Sequence, residues 1–398
     1  MQPLEGRCVW FAGIGGAGLS AYAIVAKAWG ADVAGWDRSE TPYLVHVRAA
    51  GIPVEVAPDP VAAPSGWETV VSTAFAGRVA GRSRAEFLRE LVALRRSIVV
   101  AGAHGKTTTA GMIAFVLDRL GRDPSFLIGG EVPQLGGNAR AGEGWLVVEG
   151  DESDGTVFGL PATVAVVTNV DLDHHTTFAS AADLERLFGS WTADIPHVVW
   201  GGGLPPLDLE LAVPGEHNRR NAACAVAALE LAGVEREEAL AVLPEFHGTG
   251  RRLESRGEAG GVRLLDDYGH HPAEVAATLA AARGLAGDGR LLVLFQPHLY
   301  SRTLHLAHEL AAALTAADAA CVTEIYSARE EPLDRVSGKL VVDRLTEARP
   351  GMPVGWAPSV EGAAALVAAW ARPGDILLTI GAGDVDRAVP LVLERLGS

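Results

Sequence analysis

In the stretch Ile98–Leu120, IVVAGAHGKTTTAGMIAFVLDRL, Lys106 and Thr107 follow a glycine at the start of a helical pattern. These residue types at this spacing suit phosphate binding. Backbone N–H groups and the helix dipole face an anion, the ammonium adds charge, and the hydroxyl can ligate Mg2+. The spacing is GxxGKT, so Gly102, Gly105, Lys106, Thr107 and Thr108 form a candidate ATP cradle. A full Walker pattern would place another glycine at position 100, where this chain has Val100. A carboxylate group follows: Trp145–Val148 reads as a buried strand that empties into Glu149-Gly150-Asp151-Glu152-Ser153-Asp154. Mg2+ prefers carboxylate and phosphate oxygens, which makes this run beside a phosphate loop a metal signal. Strand Thr163–Thr168 ends likewise in Asn169-Val170-Asp171-Leu172-Asp173-His174-His175, where His174 is a candidate ligand.

A second glycine loop lies near the start of the chain. CVWFAG reads as a strand, Gly13-Ile14-Gly15-Gly16-Ala17-Gly18 is GxGxxG, and a helix runs on through Ala28. Strand Ala31–Trp36 ends at Asp37, placed to meet a ribose hydroxyl, and Thr69–Ser72 ends in Ser72-Thr73. Alone, this says NAD-binding Rossmann domain, yet such a loop binds any pyrophosphate and a UDP-sugar suits it equally. In the last third, strands Val262–Leu265, Leu291–Phe295, Ala319–Thr323 and Asp375–Ile380 each run into polar residues at one edge.

The elements that must position these groups follow from periodicity. Met112, Ile113, Val116, Leu117 and Leu120 make an apolar stripe on the helix behind the GKT loop. In an open parallel sheet the carboxyl ends of the strands converge on one crevice, so Lys106, Glu152 and His174 could share a site. Arg78–Arg96 reads as an Arg-rich helical stretch with solvated charges. Gly129-Gly130 opens a Gly-rich loop carrying Asn138 and Arg140. Asn218 and Asn221 precede an Ala-rich helix, Ala222–Ala232, where helix capping and adenine contact are both open. The expected fold is α/β with three domains: Rossmann-like over 1–96, a central P-loop ATPase-type parallel sheet over 97–246, and Rossmann-like again over 247–398.

Composition narrows the partners. A net charge of -16 over 398 residues argues against nucleic acid, which would need a basic face. It does not exclude a small anion, which local loops bind. Cys8, Cys224 and Cys321 are scattered without metal-like spacing. No apolar run reaches membrane-spanning length, so no membrane partner and a cytoplasmic location are expected.

Taken together, FAGIGGAGLS, AGAHGKTTT, VVEGDESDG, VVTNVDLDHH, PGEHNRRNA, FHGTGRRLE, DDYGHHPAE, FQPHLYSRT and TIGAGDV span nearly the whole chain, and they resemble the ATP-dependent Mur ligases of peptidoglycan precursor synthesis. DDYGHHPAE and FQPHLYSRT resemble the branch that joins L-alanine to UDP-N-acetylmuramate. The resemblance implies that the first domain binds the UDP-sugar, the second ATP, and the third the amino acid with part of the nucleotide. It implies Gly15, Gly16, Ser20, Asp37 and Ser72 at the UDP-sugar. Lys106 would hold the β/γ-phosphates, Thr107 one Mg2+, and Glu152 with His174 a second. Asn218 and Asn221 match an adenine-side motif and Asp267 a ribose contact. Tyr268, His270, His298 and Arg302 match the alanine pocket, where Arg302 can pair with a carboxylate and His270 is a candidate base for the amine. The implied reaction makes an acyl phosphate and ADP, which the amine then converts to an amide.

The chain departs from the family in length, after Ser72-Thr73-Ala74 and between Trp200 and Val213, and Glu324 stands where aspartate is usual. Its only lysines are Lys27, Lys106 and Lys339, so the carbamylated lysine of sister ligases has no counterpart. Three rival readings stand beside this one. An NAD-binding oxidoreductase leaves the second phosphate loop unexplained. A recycling ligase that joins a tripeptide to the same sugar nucleotide typically has Tyr where Ser153 stands. A non-catalytic relative is opposed by the retained Lys106, Thr107, Glu152 and His174.

Overall fold

Short runs of β-branched and leucine residues set the interior strands. SIVVA, VAVV, LLVLF and ILLTI are buried along their whole length, which fits parallel strands covered on both faces. The computed structural model describes residues 2–171, 178, 180–328 and 330–397. His174, His175 and Arg329 lie outside the described residues.

Three sheets form. The first comprises β1 (Cys8–Ala12), β2 (Asp32–Asp37), β3 (Val54–Val56), β4 (Glu68–Val71) and β5 (Arg82–Ser83) in the order β3-β2-β1-β4-β5. All its pairings are parallel. The strand order reverses between β1 and β4, the switch point where doubly wound sheets bind ligands. The second comprises β6 (Ser97–Ala101), β7 (Ser125–Val132), β8 (Gly137–Arg140), β9 (Leu146–Glu149), β10 (Val164–Val167) and β11 (His197–Trp200), ordered β11-β10-β6-β9-β7-β8. The third comprises β12 (Glu254–Ala259), β13 (Val262–Asp267), β14 (Leu291–Phe295), β15 (Ala319–Thr323), β16 (Val354–Ala357) and β17 (Ile376–Ile380), ordered β12-β13-β17-β14-β15-β16. Among the described residues only β8 and β12 join antiparallel, each at an edge. The chain forms two compact units: one holds the first two sheets, and the other holds the third. In the third sheet, Val275, Leu279, Leu310 and Leu314 pack one face, while Ala363, Val367, Val389 and Val392 pack the other.

Three sequence expectations change. The segment carrying Asn138 and Arg140 is not a loop but strand β8, paired with β7 through Leu127↔Ala139 and Phe126↔Arg140. An edge strand of four residues carries too little alternation to be read from sequence. The Arg-rich stretch is helical only over Arg84–Ala93, started by a Ser83/Glu86 capping box. Its charges are not simply solvated. Arg7 and Arg82 bracket Glu68 and Glu90, and the half-buried Arg84 lies 4.0 Å from Asp151. The Ala-rich helix is Glu216–Leu231, so Asn218 and Asn221 sit inside its first turns. Among the described residues no helix is long and apolar enough to cross a membrane.

Candidate active site

The GKT loop leaves β6 between its two neighbours, β9 and β10, and groups from both strands hold it. Its last residue before the helix Lys106–Arg119 is Gly105, in the left-handed region at φ 80°. A side chain there would also overlap the Asn221 amide. Gly102, at φ 119°, lies so close to Thr168 and to the Asn169 carbonyl that a Cβ would overlap them. From the β10 side, the Asn169 amide brackets His104, accepting from its N–H at 2.9 Å and donating to its carbonyl at 2.8 Å. Thr168 Oγ1 donates to the same carbonyl at 2.7 Å. His104 Nε2 is 3.2 Å from Asp171 Oδ2. Gly105→Ala is therefore expected to cost about 1–2 kcal/mol of stability from the backbone alone, with weakened ATP binding as Asn221 is displaced. Thermal melts and nucleotide titration check both.

Lys106 Nζ curls over the loop, donating to the Gly102 and Ala103 carbonyls at 2.7 and 3.1 Å and to Glu152 Oε1 at 3.0 Å. Glu152 is only 2% exposed, and its Oε2 is buried without a hydrogen-bond partner. Burial pushes its carboxyl up to about 7 despite the adjacent ammonium. Burial opposes the Lys106 charge as well, but Glu152, Glu149 and Asp151 outweigh it and raise the lysine. Asp151, whose burial acts upward, is drawn below the usual carboxylate range by Ser153, Lys106 and Arg84. The pair is thus a buried cation held beside carboxylates.

The carboxylate that meets Thr107 is Glu149. Thr107 Oγ1 donates to Glu149 Oε1 at 2.9 Å, and the Gly129 N–H donates to Oε2 at 2.7 Å. Sequence reasoning put Thr107 and Glu152 in the metal set and left Glu149 out. The sheet register singles it out, because Glu149 pairs with Val100 at the end of the strand that feeds the loop. A threonine hydroxyl, the Glu149 carboxylate and the orphaned Glu152 oxygen are hard donors of the kind Mg2+ takes, so this set fits the ion. Thr108 is buried in the first turn of the helix.

At the first sheet, Gly16 precedes helix Ala17–Ala28 and the Gly15 N–H donates to Asp37 Oδ2 at 2.8 Å. Thr41 Oγ1 donates to the Gly15 carbonyl at 2.8 Å, which ties the loop to the end of β2. Ser72 Oγ, past the end of β4 and against Gly13, is buried without a partner. Ser20 is buried within the helix, and its hydroxyl donates to the Ala17 carbonyl at 3.0 Å.

In the third sheet the residues after β13, β14 and β15 form one cluster. His270 and His298 have ring centroids 5.6 Å apart, Tyr268 meets His270 edge-on at 5.8 Å, and Tyr326 stacks on His298 at 5.7 Å. Arg302, 3% exposed, sets Nη1 3.0 Å from His298 Nδ1. A guanidinium can only donate, so Nδ1 is the accepting nitrogen of His298 and Nε2 carries its proton. His270 has the opposite arrangement. Its Nδ1 faces the Tyr268 carbonyl at 3.1 Å with Glu274 at 3.4 Å, so Nδ1 is the donating nitrogen. Tyr326 was not among the expected site residues. Asp267 is buried; Oδ1 accepts from the Gly269 N–H and the Thr278 hydroxyl, and Oδ2 accepts from the Leu253 N–H. Its carboxylate shapes the turn into Tyr268. Asn218 Nδ2 donates to the Pro214 carbonyl at 2.7 Å, closing the turn before its helix, whereas Asn221 packs on the phosphate loop.

A family model described as "Mur ligase, glutamate ligase domain" matches residues 251–383. The UDP-N-acetylmuramate–L-alanine ligase of Mycobacterium sp. (strain JLS) is 38% identical, over 99% of this chain and 96% of its own. That of Paenarthrobacter aurescens (strain TC1) is 39% identical, over 98% and 97%. The first alignment runs over 469 positions, more than the 398 residues here, so the relative carries segments this chain lacks. Among solved structures, UDP-N-acetylmuramate-alanine ligase from Thermotoga maritima superposes with a TM-score of 0.80 at 25% identity, covering 97% of this chain and 98% of that one. A murein peptide ligase from Psychrobacter arcticus shares the fold, with a TM-score of 0.67 at 23% identity over 99% of both chains. Related at this level from end to end, the chain belongs to the Mur ligase family.

Proposed function

We propose that this protein is an ATP-dependent ligase that forms an amide between the carboxylate of UDP-N-acetylmuramate and L-alanine, working in the cytoplasm in peptidoglycan precursor synthesis. The observation that carries the reading is the near-full-length relationship to ligases of that name. The phosphate loop, with Lys106 against Glu152 and Thr107 against Glu149, supports it. The domains run 1–96 for the UDP-sugar, 97–246 for ATP, and 247–398 for the amino acid.

In this reading Gly15, Gly16, Ser20, Asp37 and Ser72 line the UDP-sugar pocket, and Gly102, Gly105, Lys106, Thr107, Thr108, Asn218, Asn221 and Asp267 hold ATP. Mg2+ would be held by Thr107 and Glu149, with Glu152 and His174 offering donors for a second ion, and it would offset charge on the phosphates. A muramate carboxylate oxygen attacks the γ-phosphorus, the bond to the β–γ bridging oxygen breaks, and ADP leaves. Lys106 neutralises charge on the transferring group. The alanine nitrogen then attacks the acyl carbon, and phosphate departs with the oxygen it gained. Arg302 and the His298 Nε2–H face the amino acid's carboxylate, Tyr268 lines the pocket, and His270 Nε2 takes the amine proton.

The experiment is an amine panel: phosphate release with ATP, Mg2+ and UDP-N-acetylmuramate, offering L-alanine, L-serine, glycine and a cell-wall tripeptide in turn. Turnover fastest with L-alanine is expected. Turnover with the tripeptide alone would make the protein a recycling ligase, and turnover with none would end the ligase reading.

A further inference from the structure

Six non-glycine residues have positive φ among the described residues, and four of them, Arg251, Leu253, Leu299 and Ala328, adjoin the cluster of the third sheet. The Arg251 carbonyl accepts from the Tyr268 N–H at 2.7 Å, the Leu253 N–H donates to Asp267 at 2.7 Å, and Ala328 follows Tyr326 by two positions. Leu299 lies between His298 and the helix that carries Arg302. It has φ 68° and ψ 135°, outside the left-handed helical well and in a region that suits glycine.

Such a conformation persists only where its surroundings over-determine it. Here the Leu299 N–H donates to the Tyr326 carbonyl at 2.9 Å. Its carbonyl accepts from the Thr303 N–H at 3.1 Å and from Thr303 Oγ1 at 2.8 Å. Both backbone groups of one residue are therefore pinned, one to the strand-end segment bearing Tyr326 and one to the first turn of helix Tyr300–Leu314. The residue before it is His298, stacked on Tyr326, and three residues after it is Arg302, donating back to His298. We infer that the strained backbone of Leu299 is a positioning element, which locks His298 and Arg302 into one geometry for the amino acid's carboxylate. This rests on the reading of that cluster as the amino-acid pocket. The side chain has no part in it, and any residue held in this conformation would serve.

Leu299→Gly and Leu299→Ala separate backbone from side chain. Glycine removes the strain and frees the backbone, whereas alanine keeps the strain and loses only the side chain. In Leu299→Gly the KM for L-alanine is expected to rise roughly tenfold, since small misplacements in a preorganised site are costly. The KM for ATP should stay within about twofold, and the melting temperature should be no lower than that of Leu299→Ala. A structural role alone would lower stability and raise both KM values together. The imidazole 15N shifts of His298 in the ligand-free protein give a readout that needs no substrate: a single Nε2–H tautomer in wild type and Leu299→Ala, and a mixture in Leu299→Gly. An unchanged tautomer in Leu299→Gly, or an L-alanine KM raised as much by alanine as by glycine, would overturn the inference. Failure of wild type to use L-alanine would overturn only the pocket's assignment, because the tautomer result stands without it.

Discussion

Lys106→Ala is expected to lower ATP-dependent phosphate release at least about 10³-fold, the scale seen when one preorganised charge or donor is removed from a developing anion. Lys106 is the cation that bridges the loop carbonyls and a buried carboxylate, so no neighbouring side chain takes its place. Loss of one partner from a buried pair usually costs about 3–5 kcal/mol of stability, but Glu152 can relieve that by taking a proton. Its carboxyl already titrates at about 7 against an ordinary 4.5, and without Lys106 it moves further up. A folded-state value raised above the unfolded one gives stability that is whole below 4.5 and is lost as pH rises through the folded value. The ligand-free variant should thus melt closest to wild type in mild acid and fall away from it as pH rises past neutrality. Release of acyl phosphate by Lys106→Ala at the wild-type rate would show that the transfer takes place elsewhere.

Glu149→Gln is the second large effect. Its two oxygens receive the Thr107 hydroxyl and the Gly129 N–H, so the glutamine retains the shape but turns one acceptor into a donor and removes the charge. A fall in kcat of roughly 10²-fold is expected, together with a rise in the Mg2+ concentration needed for half-maximal rate. The Mg2+ shift is the informative part, because damage to the loop alone would lower kcat without moving it. An unchanged Mg2+ dependence would return Glu149 to a purely structural role beneath Thr107.

The two glycine loops were legible in the sequence because local chemistry sets them: glycine at a position that needs positive φ, an apolar strand before it and a helix after it, although the helix behind the GKT loop is buried all round over Thr107–Leu117 rather than on one face. The pairing of Glu149 with Thr107 was not legible. Four carboxylates end or follow β9, and choosing among them needs the register between β9 and β6, which no local pattern encodes. The hydrogen bonds that Asp267 makes were not legible either, because an aspartate at a strand end can face a ligand or brace its own turn, and Leu253, Gly269 and Thr278 all donate to it. Tyr326 went unnoticed because its role depends on β14 and β15 lying side by side, which brings it onto His298. Edge strand β8 hid in a glycine-rich segment, since an edge buries too little to impose alternation.

The most direct test of the ligase account is phosphate release measured with ATP, Mg2+, UDP-N-acetylmuramate and L-alanine together and with each left out in turn. The account predicts steady release only in the complete mixture, with one UDP-N-acetylmuramoyl-L-alanine formed for each phosphate. Release that continues undiminished without either the sugar nucleotide or the amino acid would contradict it.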